Sequence, residues 1–345
     1  MVLTVAAAIF VFGMLVLVHE LGHFVTAKLT GMRVNEFAIG FGPQLFSIHY
    51  GETEYSVRCI PLGGFNDIAG MNPEENDAGE RGYCEKPILS RMLVILSGSA
   101  MNLLLPIIIF FGIFFFAGVS TPSTEPVIGG VLPDRPAAVA GIQKGDRILS
   151  VDDTEIAKWS DFVLAVKDSP DKDLRIRYER DGVQQETVVT PTYDKTRKLA
   201  LVGVMSSVTT EHPGIFESMW LAVSKTWEIL SMMIYELTRI LWQFSGEELS
   251  GPIGIAQMAG EMAQFGMVTL LNFAAFLSLN LGILNLFPIP ALDGGHFLTL
   301  LVEAVRGKPM STKALQYAQA VGVALLVTLM LFATKNDIVR VVAGG

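Results

Sequence analysis

Val2-Leu3-Thr4-Val5-Ala6-Ala7-Ala8-Ile9-Phe10-Val11-Phe12-Gly13-Met14-Leu15-Val16-Leu17-Val18 runs without a charge straight into His19-Glu20-Leu21-Gly22-His23. An apolar run that continues to about 20 residues is long enough to cross a bilayer as a helix. It has no basic leader and no small-residue cleavage site after it, so it reads as a retained helix and not a cleaved signal. The polar cluster closing it has helical logic. Histidines at i and i+4 lie on one face, so both imidazoles can reach one Zn²⁺. Glu20 between them is then suited to act as general base on a metal-bound water. The bland alternative is a polar helix end meeting lipid headgroups. Setting a carboxylate against an apolar run is costly, and for that reason ionisable groups at membrane depth point to function.

Working outward, three further stretches read as spans: Met92 to Val119, Phe265 to Leu292 and Ala314 to Ala333. The whole chain of 345 residues is 51% hydrophobic and only 17% charged, below the roughly 25% of soluble domains. A net charge of −9 argues against a nucleic-acid partner, which calls for a basic face. Cys59 and Cys84 are too few for a disulfide framework and make no metal knuckle. The basic residues favour one side. Lys28, Arg33, Arg58, Arg81, Lys86 and Arg91 lie between the first two spans, and Arg306, Lys308 and Lys313 lie between the last two. Short loops rich in Lys and Arg stay cytoplasmic, so both loops are expected inside and the long middle segment outside.

The expected order is a first span with the motif at 1–25, a cytoplasmic loop at 26–91 and a second span at 92–119. A soluble domain follows at 120–206, then amphipathic membrane-associated helices at 207–264. A third span carries a further zinc ligand at 265–296. The chain ends with a loop at 297–312, a fourth span at 313–335 and a tail at 336–345. In the first loop, Leu45 to Tyr50 and Thr53 to Ile60 flank Gly51-Glu52 and predict a β-hairpin. Gly40-Phe41-Gly42-Pro43 and Gly63-Gly64-Phe65 bracket it with residues that permit sharp bends. Met71 to Gly82 reads as an acidic exposed loop. In the middle domain, Arg175 to Glu179 and Glu186 to Val189 read as short strands, and Pro136 to Asp152 resembles the core of a PDZ domain, an α+β fold. Such domains add extended peptides to a sheet edge.

From Gly214 to Phe244 the charges are Glu217, Lys225, Glu228, Glu236 and Arg239. At about 100° per residue they share an arc of roughly 100°. A helix with so narrow a polar stripe lies in an interface or against other helices and does not span alone.

Zinc needs a third protein ligand and an open position. Asn285-Leu286-Phe287-Pro288-Ile289-Pro290-Ala291-Leu292-Asp293-Gly294-Gly295 offers Asp293, with His296 three residues further on. Chemistry alone does not choose between the two. Pro288 and Pro290 break the helix there, and broken backbone at this depth is tolerated where it lines a cavity.

Together these motifs resemble the site-2 proteases, specifically the bacterial RseP-type intramembrane metalloproteases. The likeness rests on the His19–His23 and Asn285–Gly295 motifs, the PDZ insert, Gly40-Phe41-Gly42-Pro43, Pro61-Leu62-Gly63-Gly64-Phe65 and Gly251-Pro252-Ile253-Gly254, all in the family's order. It implies a multi-span α-helical membrane protein with four transmembrane helices, a membrane-reentrant β-hairpin and an inserted PDZ domain. It implies that His19, His23 and Asp293 hold Zn²⁺, that Glu20 is the catalytic base, and that Asn102, Asn285, Pro288, Gly63 and Gly64 contact substrate. The expected location is the bacterial cytoplasmic membrane, with the zinc site towards the cytoplasm and the PDZ domain outside. The expected reaction is hydrolysis of peptide bonds in or near the transmembrane segments of single-pass proteins, such as anti-sigma factors or remnant signal peptides. Other partners are a peptide or C-terminus at the PDZ domain and membrane lipid. The chain departs from the family's pattern at Leu96-Ser97-Gly98-Ser99-Ala100-Met101-Asn102 and at Phe65-Asn66-Asp67. The rival reading is a non-catalytic, membrane-anchored PDZ scaffold, which has no need of Glu20.

Overall fold

The computed structural model describes residues 2–71, 79–133, 135–167, 169–194, 199–243 and 251–342. The expected acidic loop therefore lies mostly outside the described residues. Two compact units emerge, residues 1–115 with 214–345, and residues 116–213. In chain order the first opens with α1 (Val2–Leu29), β1 (Val34–Tyr50), β2 (Thr53–Ile68) and α2 (Ile88–Gly112), which runs on as a π-helical turn over Ile113–Ala117. The second holds β3 (Val119–Pro122), β4 (Ile128–Val131), α3 (Pro136–Val139), β5 (Arg147–Val151), β6 (Thr154–Glu155), α4 (Trp159–Lys167), β7 (Leu174–Arg180), β8 (Val183–Val189), β9 (Thr192–Asp194), β10 (Leu199–Leu201), β11 (Val204–Ser206) and β12 (Val208–Glu211). The first resumes with α5 (Ile215–Gln243), α6 (Pro252–Gln264), α7 (Met267–Asn285), α8 (Asp293–Arg306) and α9 (Thr312–Val342).

Among the described residues four helical stretches are long and apolar enough to cross a membrane: Val2–Leu29, Ile88–Ala117, Met267–Asn285 and Thr312–Val339. The core of the bundle joins Val11 and Leu15 of α1, Leu105, Ile109 and Phe110 of α2, Ala259 of α6 and Ala274 and Ala275 of α7. Without a hydrophobic drive in lipid, such helices associate through small residues that let backbones approach. Gly22 is one of these. A Cβ there would collide with the Ser97 carbonyl of α2 and lie 2.9 Å from Met101 Cγ. On α5 the buried positions are Ser218, Ala222 and Thr226, a small-residue stripe facing α2. Trp220 and Trp227 stay exposed, and Lys225–Glu228 and Arg239–Glu236 pair along the polar stripe at 3.0 and 2.9 Å.

The predicted hairpin is larger than expected. Tyr50 pairs with Thr53 around Gly51, but both strands extend well past it. Residues 44–50 pair antiparallel with 53–58, and 34–39 with 64–68, while Glu36 to Ile39 also meet Glu54 to Val57 with the numbers rising in step. The chain doubles back into a four-rung sheet ordered 44–50, 53–60, 34–41, 64–68. Gly40 and Gly42 carry φ of 92° and 83°, and Gly63 carries 114°. These left-handed values make the folds, and a side chain strongly disfavours them. The sheet's turn is tied back to α1: Glu52 accepts from Lys28 at 2.7 Å and from Arg81 at 2.6 and 2.8 Å. The Arg81 hydrogen bond, followed by Lys28, holds the Glu52 carboxyl down at about 2.

Three expectations near the C-terminus change. The third span ends at Asn285, and Asp293 opens a separate helix, α8. That helix occupies most of the segment expected as a loop at 297–312. Pro288 and Pro290 cause the break, since proline removes a backbone donor and clashes with the preceding turn. Residues 336–342 of the expected tail are also helical, because α9 runs on to Val342. Asp337 explains its anchoring. It is 1% exposed and accepts hydrogen bonds from the Gly251 and Gly254 N–H groups at 3.1 and 2.8 Å, satisfying donors that the start of α6 leaves open. Replacing Asp337 with Ala strands both N–H groups, and is expected to cost about 1–3 kcal/mol per buried donor. A lower denaturation midpoint of the purified protein checks this.

The second unit is a small α+β module. Strands β6-β5-β7-β8 form one sheet, with β4 paired to β11 and β9 to β10. β3 and β12, first and last, pair from Val119↔Glu211 to Pro122↔Val208, so the chain enters and leaves side by side as an insertion requires. Ile128, Ile148, Phe162, Ile176 and Val189 build its core. Asp181 and Gly182, both with positive φ, make the tight turn between β7 and β8.

Candidate metal centre

α1 delivers His19, Glu20 and His23 because residues four apart share a face. His19 Nε2 and His23 Nε2 are 3.2 Å apart, and each approaches Asp293 Oδ2, at 3.4 and 3.6 Å. The three donors are mostly buried, with side chains 12–16% exposed. A tetrahedral ion with bonds of about 2.0–2.1 Å needs donors about 3.3–3.4 Å apart. The observed edges bracket that value, so two imidazoles and one carboxylate fit Zn²⁺ and leave a fourth position. His296, the competing candidate, lines a neighbouring cavity and is not part of the cluster.

Asp293 reaches α1 because α8 starts at this residue itself. Its N-terminus is wedged into the broken segment after α7, where a Cβ on Gly294 would collide with the Leu286 and Phe287 carbonyls, and one on Gly295 with that of Ile289. Ala291 takes φ of 82°, a strained value for a residue with a side chain and one that recurs at functional sites. The far end of α8 is bound to α2 through Arg91 and Glu303 at 2.7 and 3.3 Å.

α2 contributes no residue to the cluster yet touches all three of its members. His23 Nδ1 lies 2.7 Å from the Val94 carbonyl, to which it donates; Ser99 Oγ donates to Asp293 Oδ2 at 3.1 Å; and the Asn102 amide stands 3.2 Å from His19 Nδ1. Gly98 makes this possible, since a Cβ there would sit on His23 Nε2 and 2.8 Å from His19 Cε1. Glu20, between the two histidines, is held by the sheet. Asn66 Nδ2 donates to its Oε2 at 2.7 Å and to its backbone carbonyl at 2.8 Å. Gly64 permits the approach, because a Cβ would be 3.0 Å from Glu20 Cγ and 3.2 Å from Val16 Cγ1.

Of the other residues expected at the site, Asn102 is fully buried and Gly63 bends the sheet. Asn285 ends α7, and Pro288 is exposed in the break. Sequence reasoning missed the roles of Asn66, Val94, Gly98 and Ser99. The signal was faint: the segments around Asn66 and Gly98 stood out only as departures from the family's pattern. A cavity of about 890 Å³ adjoins the site, bordered by Phe65, Asn66, Asp67, Gly295, His296 and Gln319.

The model of Peptidase family M50 matches residues 7–329. The chain is 33% identical to the regulator of sigma-W protease RasP of Bacillus subtilis, with 98% of each chain covered. It is 34% identical to the zinc metalloprotease RasP of Bacillus licheniformis, covering 98% of this chain and 99% of that one. Among solved structures, the PDZ domain of the SdrC-like protein of Listeria monocytogenes is similar at 19% identity and a TM-score of 0.22, over 25% of this chain and 90% of that domain.

Proposed function

The chain belongs to peptidase family M50, and on that premise we propose that it hydrolyses peptide bonds in or beside the transmembrane segments of single-pass membrane proteins. It is a multi-pass membrane protein and a zinc metalloprotease of the site-2 type. The observation that carries the substrate reading is the placement of the triad His19, His23 and Asp293, with Glu20 beside it, in the C-terminal half of an apolar helix and next to a strand edge.

In this reading His19 and His23 Nε2 and Asp293 Oδ2 hold the zinc. Bound zinc supplies Lewis acidity to the scissile carbonyl and draws the pKa of water towards about 7. Glu20, with Oε2 held by Asn66, takes the proton of the attacking water on Oε1 and passes it to the leaving nitrogen. A helical substrate hides its carbonyls in i→i−4 hydrogen bonds, so it must unwind first. Of the sheet's outer segments, 44–50 and 64–68, the second passes Glu20 and borders the cavity. It is the edge on which an unwound substrate adds as a strand, and this supports a membrane-reentrant sheet. The triad faces the cytoplasm, as the Lys and Arg residues of the flanking loops indicate. Residues 116–213 act as a PDZ domain on the outer side, taking an extended peptide or a C-terminus.

The test is cleavage of tagged single-span substrates by protein reconstituted in vesicles, with zinc removed by a chelator and then restored. Cleavage in or beside the span that vanishes and returns with zinc is expected. Fully zinc-loaded protein that cuts soluble peptides but no single-span substrate would sink the assignment of substrate class.

A further inference from the structure

Each of the three donors is braced by a group on α2, and for His19 the brace has a chemical consequence. An imidazole offers a lone pair at Nε2 only if its ring proton sits on Nδ1, and the hydrogen bond made by Nδ1 decides this. His23 meets the requirement with backbone, donating from Nδ1 to the Val94 carbonyl at 2.7 Å. The side-chain group facing His19 Nδ1 is the Asn102 amide, with Nδ2 at 3.2 Å. An amide nitrogen facing Nδ1 would need that ring atom to be the acceptor, placing the proton on Nε2 and closing His19 to a metal. Asn102 Oδ1, meanwhile, is buried with no hydrogen-bond partner among the described residues. A half-turn of the amide exchanges the two atoms and turns an acceptor towards Nδ1–H, where the Gly98 carbonyl beside the His19 ring is the other group able to accept.

Resting on the zinc triad read above, we infer that Asn102 presents its amide oxygen to His19 Nδ1–H and so fixes the ring form that leaves Nε2 free for zinc. Asn102 is a positioning residue for the metal and not a substrate contact. Its surroundings suit that task. The residue is 0% exposed, and its backbone carbonyl accepts from Ser278 Oγ of α7 at 2.7 Å, which fixes α2 at this level.

The experiment is zinc affinity of the purified full chain by competition with a chromophoric chelator, with the visible absorption of the Co²⁺-loaded protein as a second readout. The proteins are wild type, Asn102→Leu, Asn102→Ala and Asn102→Asp. Leu and Ala remove the acceptor and are expected to weaken zinc binding about 10–100-fold and to shift the Co²⁺ spectrum. Asp keeps an acceptor in the same shape and is expected to bind zinc within about threefold of wild type. Using both Leu and Ala keeps a packing fault in the larger side chain from deciding the result. Wild-type affinity in Leu and Ala with cleavage lost would overturn the inference and move Asn102 to the substrate. Loss in Asp as large as in Leu would also overturn it. His23→Ala separates the underlying reading, because undiminished zinc in that variant means that the triad itself is wrong.

Discussion

Exchanging Glu20 for Gln is expected to lower the cleavage rate by about 10²–10⁴-fold, the usual contribution of a positioned acid–base group, while zinc content stays at the wild-type level. Gln is nearly isosteric, and its amide can still pair with Asn66, which donates to the Glu20 carboxylate at 2.7 Å. Glu20 is not one of the clustered donors, which are His19, His23 and Asp293. The fold and the metal should therefore survive, and only the proton acceptor is lost. Single-turnover cleavage with parallel metal analysis reads both quantities. If the Gln variant loses zinc together with activity, Glu20 belongs to the ligand set and the base must be sought elsewhere.

The second large effect comes from a residue with no chemistry of its own. Gly98→Ala is expected to reduce zinc affinity about a hundredfold or more, comparable to losing an orienting group at the site. The added methyl would occupy the volume of the His23 ring and approach His19 Cε1 to 2.8 Å. Neither ring can retreat, because Gly22 on the same helix already lies against the Ser97 backbone and Met101. Gly13→Ala is the control. It sits on α1 with nothing within 4 Å of its added Cβ, and in a helix the exchange is favourable by up to about 1 kcal/mol. Zinc titration of the two variants gives the comparison. Equal affinities would mean that the α1–α2 crossing yields more easily than the packing implies.

Much of the site and fold was legible in the chain because the relevant rules are local. A charge-free run of membrane length reports a span whatever surrounds it. The i, i+4 spacing of His19 and His23 puts them on one face through helix geometry alone. Gly51-Glu52 between two β-rich runs reports a turn, and the charges between Glu217 and Arg239 report one polar stripe.

What remained hidden depended on segments meeting across the molecule. Asn66 and Glu20 have no sequence relation; Gly40, Gly42 and Gly63 bring them together by folding a hairpin into four rungs. A glycine such as Gly98 signals only that space is short there, and what fills that space is known once α2 crosses α1. Asp337 read as part of a tail, although it caps α6 from the far end of α9. Asp293 and His296 were equal candidates on chemistry, and the wedging of Gly294 and Gly295 brings only the first within 3.4–3.6 Å of the histidines. The sequence by itself determined the spans, the paired histidines and the turn, because each follows from periodicity or composition within one segment. The tertiary structure alone set which candidate lies against the paired histidines, what each clustered side chain pairs with and the hold on Glu20, because those are distances between segments that only packing sets.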